Sequence, residues 1–303
     1  MNATESYLKE CTLCPRRCGV DRLSGEKGYC GAGLRPKAAL AALHYWEEPC
    51  ISGSKGSGAV FLSHCNLSCI FCQNYKISQE GFGKEITAAN LGRILIRLQE
   101  KGANNINLVS ATQYIPQTAE AIFWARQNGL TLPVVYNSNA YESIEALRSL
   151  DGLIDIYLPD LKYADNSFSL LYSNAPDYFF HASQAILEMH RQVGNPSYDK
   201  DGIIRKGLII RHLLLPGLKE DSKKILRWIK ENLPIEVPVS LMAQYTPLFH
   251  AQSRKELNRR ITEREYEEMI DYFFEIGLEN GYVQERSSTE SKYTPEFDLS
   301  GIE

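Results

Sequence analysis

Three cysteines, Cys65, Cys69 and Cys72, fall within eight residues of the segment SHCNLSCIFCQNYKIS in the pattern C-x3-C-x2-C, with the aromatic Phe71 just before the last. Three thiolates can hold three irons of a cubic [4Fe-4S] cluster, and without a fourth cysteine nearby one iron stays free to bind something else. A catalytic zinc site with three ligands would also keep an open position, so zinc is the alternative reading. His64 is not read as a fourth ligand, because adjacent side chains of an extended chain point to opposite sides. A second group, CTLCPRRCGVDRLSGEKGYC, places Cys11, Cys14, Cys18 and Cys30 at spacings of two, three and eleven residues. Four thiolates can close a tetrahedral zinc site and fold a segment that has little apolar core, or they can ligate an auxiliary iron–sulfur cluster. Cys50 stands apart and reads as a small buried apolar residue.

The elements that position these thiols come from the rest of the chain. With 303 residues, 44% hydrophobic and 23% charged, it can bury a full core. The expected organisation is a Cys-rich metal-binding segment at 1–45 and a larger domain at 46–303 with a C-terminal helical extension. A net charge of -4 and scattered Lys and Arg offer no electrostatic footprint for nucleic acid. No apolar run approaches the roughly 20 residues of a membrane helix, and the polar start lacks a signal-peptide pattern, so no membrane partner and a cytoplasmic location are expected. In that reducing compartment eight cysteines read as metal ligands before disulfides.

Short apolar runs at 59–62, 106–109, 132–136, 154–158, 208–215 and 237–243 predict six strands, the first leading straight into the triple-cysteine loop. Helical patterns follow them at 119–127, 143–150, 183–193, 223–233 and 265–277. An earlier helix is capped by Thr87, with Leu91, Ile94, Leu95 and Leu98 on one face, and ends at Gly102. Six β-then-α units argue for parallel strands with right-handed crossovers, in an α/β barrel or an open doubly wound sheet. In either, functional groups gather where strands end. The glycine-rich SGSKGSG at 52–58 is not a phosphate loop: it lacks G-x4-G-K-[ST] and precedes a strand instead of following one.

The C-x3-C-x2-C motif at the end of the first strand of a βα series resembles the radical S-adenosylmethionine (SAM) family. More narrowly, EEPCISGSKGSGAVFLSHCNLSCIFCQN resembles the branch of pyruvate formate-lyase activating enzymes, with similarity running from about residue 45 to 290. The resemblance implies a partial barrel of six βα units. Its cofactors would be a [4Fe-4S] cluster on Cys65, Cys69 and Cys72 and SAM chelated at the open iron. The activity implied is reductive cleavage of SAM to a 5'-deoxyadenosyl radical that takes hydrogen from a protein, peptide or other substrate, in the extreme case to activate a glycyl radical enzyme. A low-potential electron donor such as flavodoxin or ferredoxin is the implied partner. Phe71 and Gln73 would lie against SAM. Ser110, Ala111 and Thr112 stand where many relatives carry Gly-Gly-Glu, a departure in which main-chain carbonyls or the hydroxyls of Ser110 and Thr112 can accept from the ammonium. Asp160 and Lys162 match the Asp-x-Lys of glycyl-radical activases, and their plain reading is a salt-bridged strand end.

Other candidates rest on their own residues. Asn137, Ser138 and Asn139 end the third strand and can hydrogen-bond SAM or simply make a turn. Arg211 on an apolar strand needs a carboxylate, which SAM, Asp155 or Asp160 can supply. His212 alternates to the opposite side and reads as a packed residue. Gln244 and Tyr245, at the sixth strand's end, face a ligand or form a turn. The alternative to an enzyme is a non-catalytic iron–sulfur or zinc protein that carries electrons or binds a partner. An unligated iron separates the two readings, because a carrier has no use for one.

Overall fold

A computed structural model describes residues 3–283 and 295–302. Its strands are β1 (Lys37–His44), β2 (Ser57–Leu62), β3 (Lys84–Glu85), β4 (Ile106–Val109), β5 (Val134–Ser138), β6 (Ile156–Pro159), β7 (Ser197–Tyr198), β8 (Ile204–Leu208), β9 (Ile210–Leu213), β10 (Val239–Met242) and β11 (Gly281–Val283). The helices are α1 (Ala3–Lys9), α2 (Pro49–Ser52), α3 (Tyr75–Ser78), α4 (Ala88–Glu100), α5 (Ile115–Gln127), α6 (Ile144–Arg148), α7 (Asn166–Ser173), α8 (Tyr178–Val193), α9 (Lys219–Asn232) and α10 (Glu263–Glu275).

Strands β2, β4, β5, β6 and β8 pair in parallel in that order. β8 and β9 are one run of chain turned at Ile209, and β9, β10 and β11 are again parallel. A bridge between Asp160 and Arg211 carries the pairing from β6 to β9. The sheet curls without closing, with β11 at one edge and β1 and β3 at the other. Each of the six units β2, β4, β5, β6, β8–β9 and β10 is followed by helix, so the architecture is the expected partial (β/α)6 barrel. Helices on the outside explain why β2, β4, β6 and β10 are buried along their whole length, as parallel strands covered on both faces are. Helix α4 shows the local logic. The Thr87 hydroxyl accepts from the Asn90 amide at 3.1 Å, and Leu91, Ile94, Leu95 and Leu98 face the sheet. Gly92 lets the neighbouring helix approach, since a Cβ there would lie 2.6 Å from the Trp124 ring.

The expected boundary after residue 45 falls beyond β1, which pairs antiparallel with β2 and belongs to the sheet. Alanines dominate KAALAALH, and alanine is a weak strand former, so its strand character comes from pairing and burial. The C-terminal residues cover part of β1: the Leu299 amide donates to Ala39 and the Ala41 amide to Ser300. The part of the 46–303 domain at 284–294 lies outside the described residues. No described helix is long and apolar enough to cross a membrane.

Candidate active site

The loop after β2 carries Cys65, Cys69 and Cys72 to the end of the barrel where β4, β5, β6 and β9 also finish. Main-chain bonds brace it from outside: the Ser68 amide donates to Ser173 at 3.0 Å and the Ile70 amide to Tyr172 at 2.9 Å. Asn66, buried, gives its Nδ2 to the Tyr141 carbonyl at 2.6 Å. Each of the three sulfurs meets a polar side chain, from distant parts of the chain for Cys65 and Cys69 and from the adjoining α3 for Cys72. Asn139 Nδ2 donates to Cys65 Sγ at 3.3 Å, Ser173 Oγ to Cys69 Sγ at 3.0 Å, and Ser78 Oγ lies 3.2 Å from Cys72 Sγ. Burial pushes the Cys65 thiol up to about 12 and the Cys69 thiol up to about 11, and it raises Cys72 as well. A bound cation is what would hold such buried thiols as thiolates.

All three thiols open onto one cavity of about 680 Å³. Among the described residues no group of three or more His, Cys, Asp or Glu side chains is arranged to hold a metal ion. A cluster gives each thiolate its own iron and does not need the tight convergence a single ion demands. Three thiols on an open cavity, each with a polar group beside its sulfur, fit a [4Fe-4S] cluster.

The structure brings Phe71, Gln73, Ser110, Asn137, Asp160, Lys162, Arg211 and Gln244 to the wall of this cavity. Phe71 is fixed edge-on to Tyr245, with ring centroids 5.9 Å apart, and Gln73 Nε2 donates to the Gln244 carbonyl at 3.3 Å. Ser110 sits in the left-handed region at φ 59°, which a non-glycine residue adopts at some cost. Its carbonyl accepts from Gln113 Nε2 at 2.7 Å. Lys162 Nζ lies 2.6 Å from Asp160 Oδ2. Burial alone would lower Lys162, but Asp160, Cys69 and Tyr178 hold its ammonium above its ordinary range.

Thr112 departs from expectation. The chain turns into a 3-10 helix directly after β4, and the Thr112 hydroxyl points inward to Glu142 Oε1 at 2.7 Å, away from the cavity. Tyr245 is likewise packed, its hydroxyl on the Leu257 carbonyl at 2.8 Å. His212 is buried as expected, between the Leu161 carbonyl and Ser222, and burial pushes it down to about 4.

Arg211 finds carboxylates other than those expected. Glu48 takes it through two bonds, at 2.8 and 2.6 Å, and Glu47 takes Nη2 as well. Asp155 is engaged instead by Arg126 at 2.7 Å. Burial works against the charged form of Glu48, yet the guanidinium holds its carboxyl below the usual range. Glu47 and Glu48 also line the cavity and were missed; the only sequence signal was an acidic pair following an apolar stretch. Asn66, Ser78, Glu142 and Ser173 carried no local signal. Three hydroxyls, from Ser138, Thr112 and Tyr136, converge on Glu142 Oε1. Burial nonetheless pushes its pKa up to about 7.

The four N-terminal cysteines are free thiols in a turn-rich segment, with Cys11 buried. The Tyr29 amide donates to Cys18 Sγ at 3.4 Å and Arg22 Nη2 approaches Cys30 Sγ at 3.6 Å. Burial pushes Cys14 up to about 12, with Cys30 adding to the rise, and it raises Cys30, with Cys11 and Cys18 adding to it.

Comparison with known proteins agrees with this geometry. Residues 60–229, more than half of the chain, match the family model described as the radical SAM superfamily. An uncharacterized protein of Methanocaldococcus jannaschii is 31% identical over 280 residues, covering 88% of this chain and 75% of that protein. The fold is similar to the crystal structure of Streptococcus suis SuiB bound to S-adenosylmethionine, with a TM-score of 0.52, 14% identity and 73% of this chain covered. It is also similar to SuiB bound to its precursor peptide SuiA, with a TM-score of 0.51, 13% identity and 73% coverage. This chain spans about half the length of SuiB, 48% and 46% in the two structures. The superfamily implies an enzyme with a [4Fe-4S] cluster and SAM, which is what three thiols on an open cavity can accommodate. The chain belongs to the radical SAM superfamily.

Proposed function

We infer that this enzyme takes a hydrogen atom from a protein or peptide segment, with activation of a glycyl radical enzyme as the most specialised form of that reaction. When bound, a [4Fe-4S] cluster and SAM would supply the radical chemistry, with the electron coming from a low-potential donor such as flavodoxin or ferredoxin. The chain's own work is to bind, orient and exclude water. Cys65, Cys69 and Cys72 hold the cluster. Phe71, Gln73, Ser110, Asn137 and Gln244 line the space for SAM, and Lys162, kept charged by Asp160, is the cation for its carboxylate or ribose. Arg211, saturated by two glutamates, acts as a wall and not as a carboxylate receptor.

The single observation that carries the reading is the convergence of the three thiols and eight of the nine SAM-pocket candidates on one cavity. A carrier protein has no use for a cavity of that size beside an open iron. The peptide substrate is supported by SuiB, a protein of similar fold whose structure holds a precursor peptide. We assign a second metal to Cys11, Cys14, Cys18 and Cys30. Zinc and an auxiliary iron–sulfur cluster are the two candidates, and metal analysis of the protein decides between them.

The test is incubation of reduced enzyme and SAM with candidate peptides and proteins, followed by mass spectrometry. The expected result is 5'-deoxyadenosine release that depends on one macromolecular substrate, which itself changes mass. Release stimulated only by small molecules would remove the peptide reading.

A further inference from the structure

The four-cysteine segment and the cluster loop lie 35 residues apart in sequence, between Cys30 and Cys65, yet they are fastened to each other at three places. The Arg16 guanidinium lies 3.6 Å over the Tyr29 ring, donates from Nε to the Asn66 carbonyl at 3.0 Å and from Nη2 to the Asn174 carbonyl. Tyr29 in turn bonds Ser68 Oγ at 2.7 Å through its hydroxyl and accepts from Asn174 Nδ2 at 2.8 Å. The Asn66 side-chain Oδ1 accepts at 2.8 Å from Asn139 Nδ2, the group that also reaches Cys65 Sγ. On the far side, buried Arg22 donates to the Gln113 carbonyl at 2.6 Å. Gln113 then ties together the carbonyls of Ser63, His64 and Ser110 at the ends of β2 and β4.

Asn66 and Ser68 stand between Cys65 and Cys69, so the segment grips the cluster loop itself. The loop carries no helix or strand between β2 and α3, so contacts from outside shape it. The segment, for its part, has few buried apolar side chains, chiefly Leu8, Leu13 and Ala32, and a chain so poor in core needs a metal to hold its shape. The order of the segment and the order of the loop it grips are therefore coupled, so a metal that orders the first also steadies the second.

We propose that the metal-loaded four-cysteine segment is a clamp on the radical-cluster loop, in which Arg16 and Tyr29 are positioning residues that hold Asn66 and Ser68 and thereby set Cys65 and Cys69. The proposal rests on the reading that Cys11, Cys14, Cys18 and Cys30 bind a metal.

Two variants and one control separate the possibilities. A protein carrying alanine at Cys65, Cys69 and Cys72 reports by metal analysis on the second site alone; if it holds no metal, the metal-site reading fails and the clamp with it. Cys18→Ser removes a second-site ligand that does not touch the loop. Arg16→Met removes a loop contact and no ligand. Each is followed by hydrogen–deuterium exchange of peptides spanning 63–74 and by circular dichroism and electron paramagnetic resonance of the radical cluster. In both, exchange across 63–74 is expected to rise about tenfold or more, with a changed cluster signature. Arg16→Met should keep its second metal in full. If Cys18→Ser fails to fold, Arg16→Met alone decides. Unchanged exchange and an unchanged cluster signature in Arg16→Met, with second metal present, overturn the clamp while leaving the metal site standing.

Discussion

Two groups of thiols in one chain are set up in opposite ways. Cys65, Cys69 and Cys72 follow a buried strand, and two of the sulfurs meet polar side chains brought from far along the chain, Asn139 and Ser173, while Cys72 meets Ser78 of the adjoining α3. Cys11, Cys14, Cys18 and Cys30 sit among turns, with left-handed backbone at Arg17, Gly19, Gly25 and Gly31. The groups bonded to their sulfurs come from the segment itself, the Tyr29 amide and Arg22. The first group is placed by a barrel that folds around its own core, and the second has no comparable core to place it. A lost ligand should therefore cost chemistry in one group and structure in the other.

The largest expected effect breaks the chemistry and spares the fold. Cys69→Ala should release no detectable 5'-deoxyadenosine, while its urea-unfolding midpoint stays close to that of the wild type stripped of its cluster. Residual release from this variant would mean the loop does not hold the cluster. Cys30→Ser is the matching change in the other group and should instead lower the thermal midpoint and the yield of soluble protein.

Next comes the cavity wall. Arg211→Met leaves Glu47 and Glu48 buried without their cation, and breaking a buried pair in this way costs about 3 to 5 kcal/mol. Urea unfolding measures it. A cost below about 1 kcal/mol, typical of exposed pairs, would show that the wall is wetter than its burial suggests.

Glu142 stands where the two regions meet, its charge felt by Cys14. Its folded pKa of about 7 lies above the ordinary 4.5. Between those values the folded protein keeps a proton that the unfolded chain has released, so this group's contribution to stability falls as pH rises from about 4.5 to 7. Glu142→Gln should remove that slope and raise stability at pH 8 by up to about 3 kcal/mol. Parallel stability curves for the two proteins across this range would show that Glu142 stays ionised.

The smallest effect tests a single contact. Lys162→Met should weaken SAM binding by about 10- to 100-fold, or about 1.4 to 2.7 kcal/mol, with iron content unchanged. Unaltered affinity would leave Lys162 as no more than the partner of Asp160.

Much of this was legible in the residues alone, because the signals are local. Strand and helix periodicity placed six βα units, Thr87 announced the start of α4, and three closely spaced cysteines after an apolar run pointed to an open cluster. The opposite sides taken by Arg211 and His212 follow from the period of two along a strand. What the sequence by itself could not decide are matters of partnership across long stretches of chain. Glu47 and Glu48 reach Arg211 over 164 and 163 residues, and Ser173 reaches Cys69 over 104. β1 becomes a strand only because β2 and the C-terminal residues cover it, and Thr112 turns inward only because Glu142 is there to receive it. The physical reason is the same in each case. A side chain's own type fixes what it needs, a counter-charge or a hydrogen-bond partner, but which group meets that need is settled by the closing of the barrel, which alone brings distant segments to one end of the sheet.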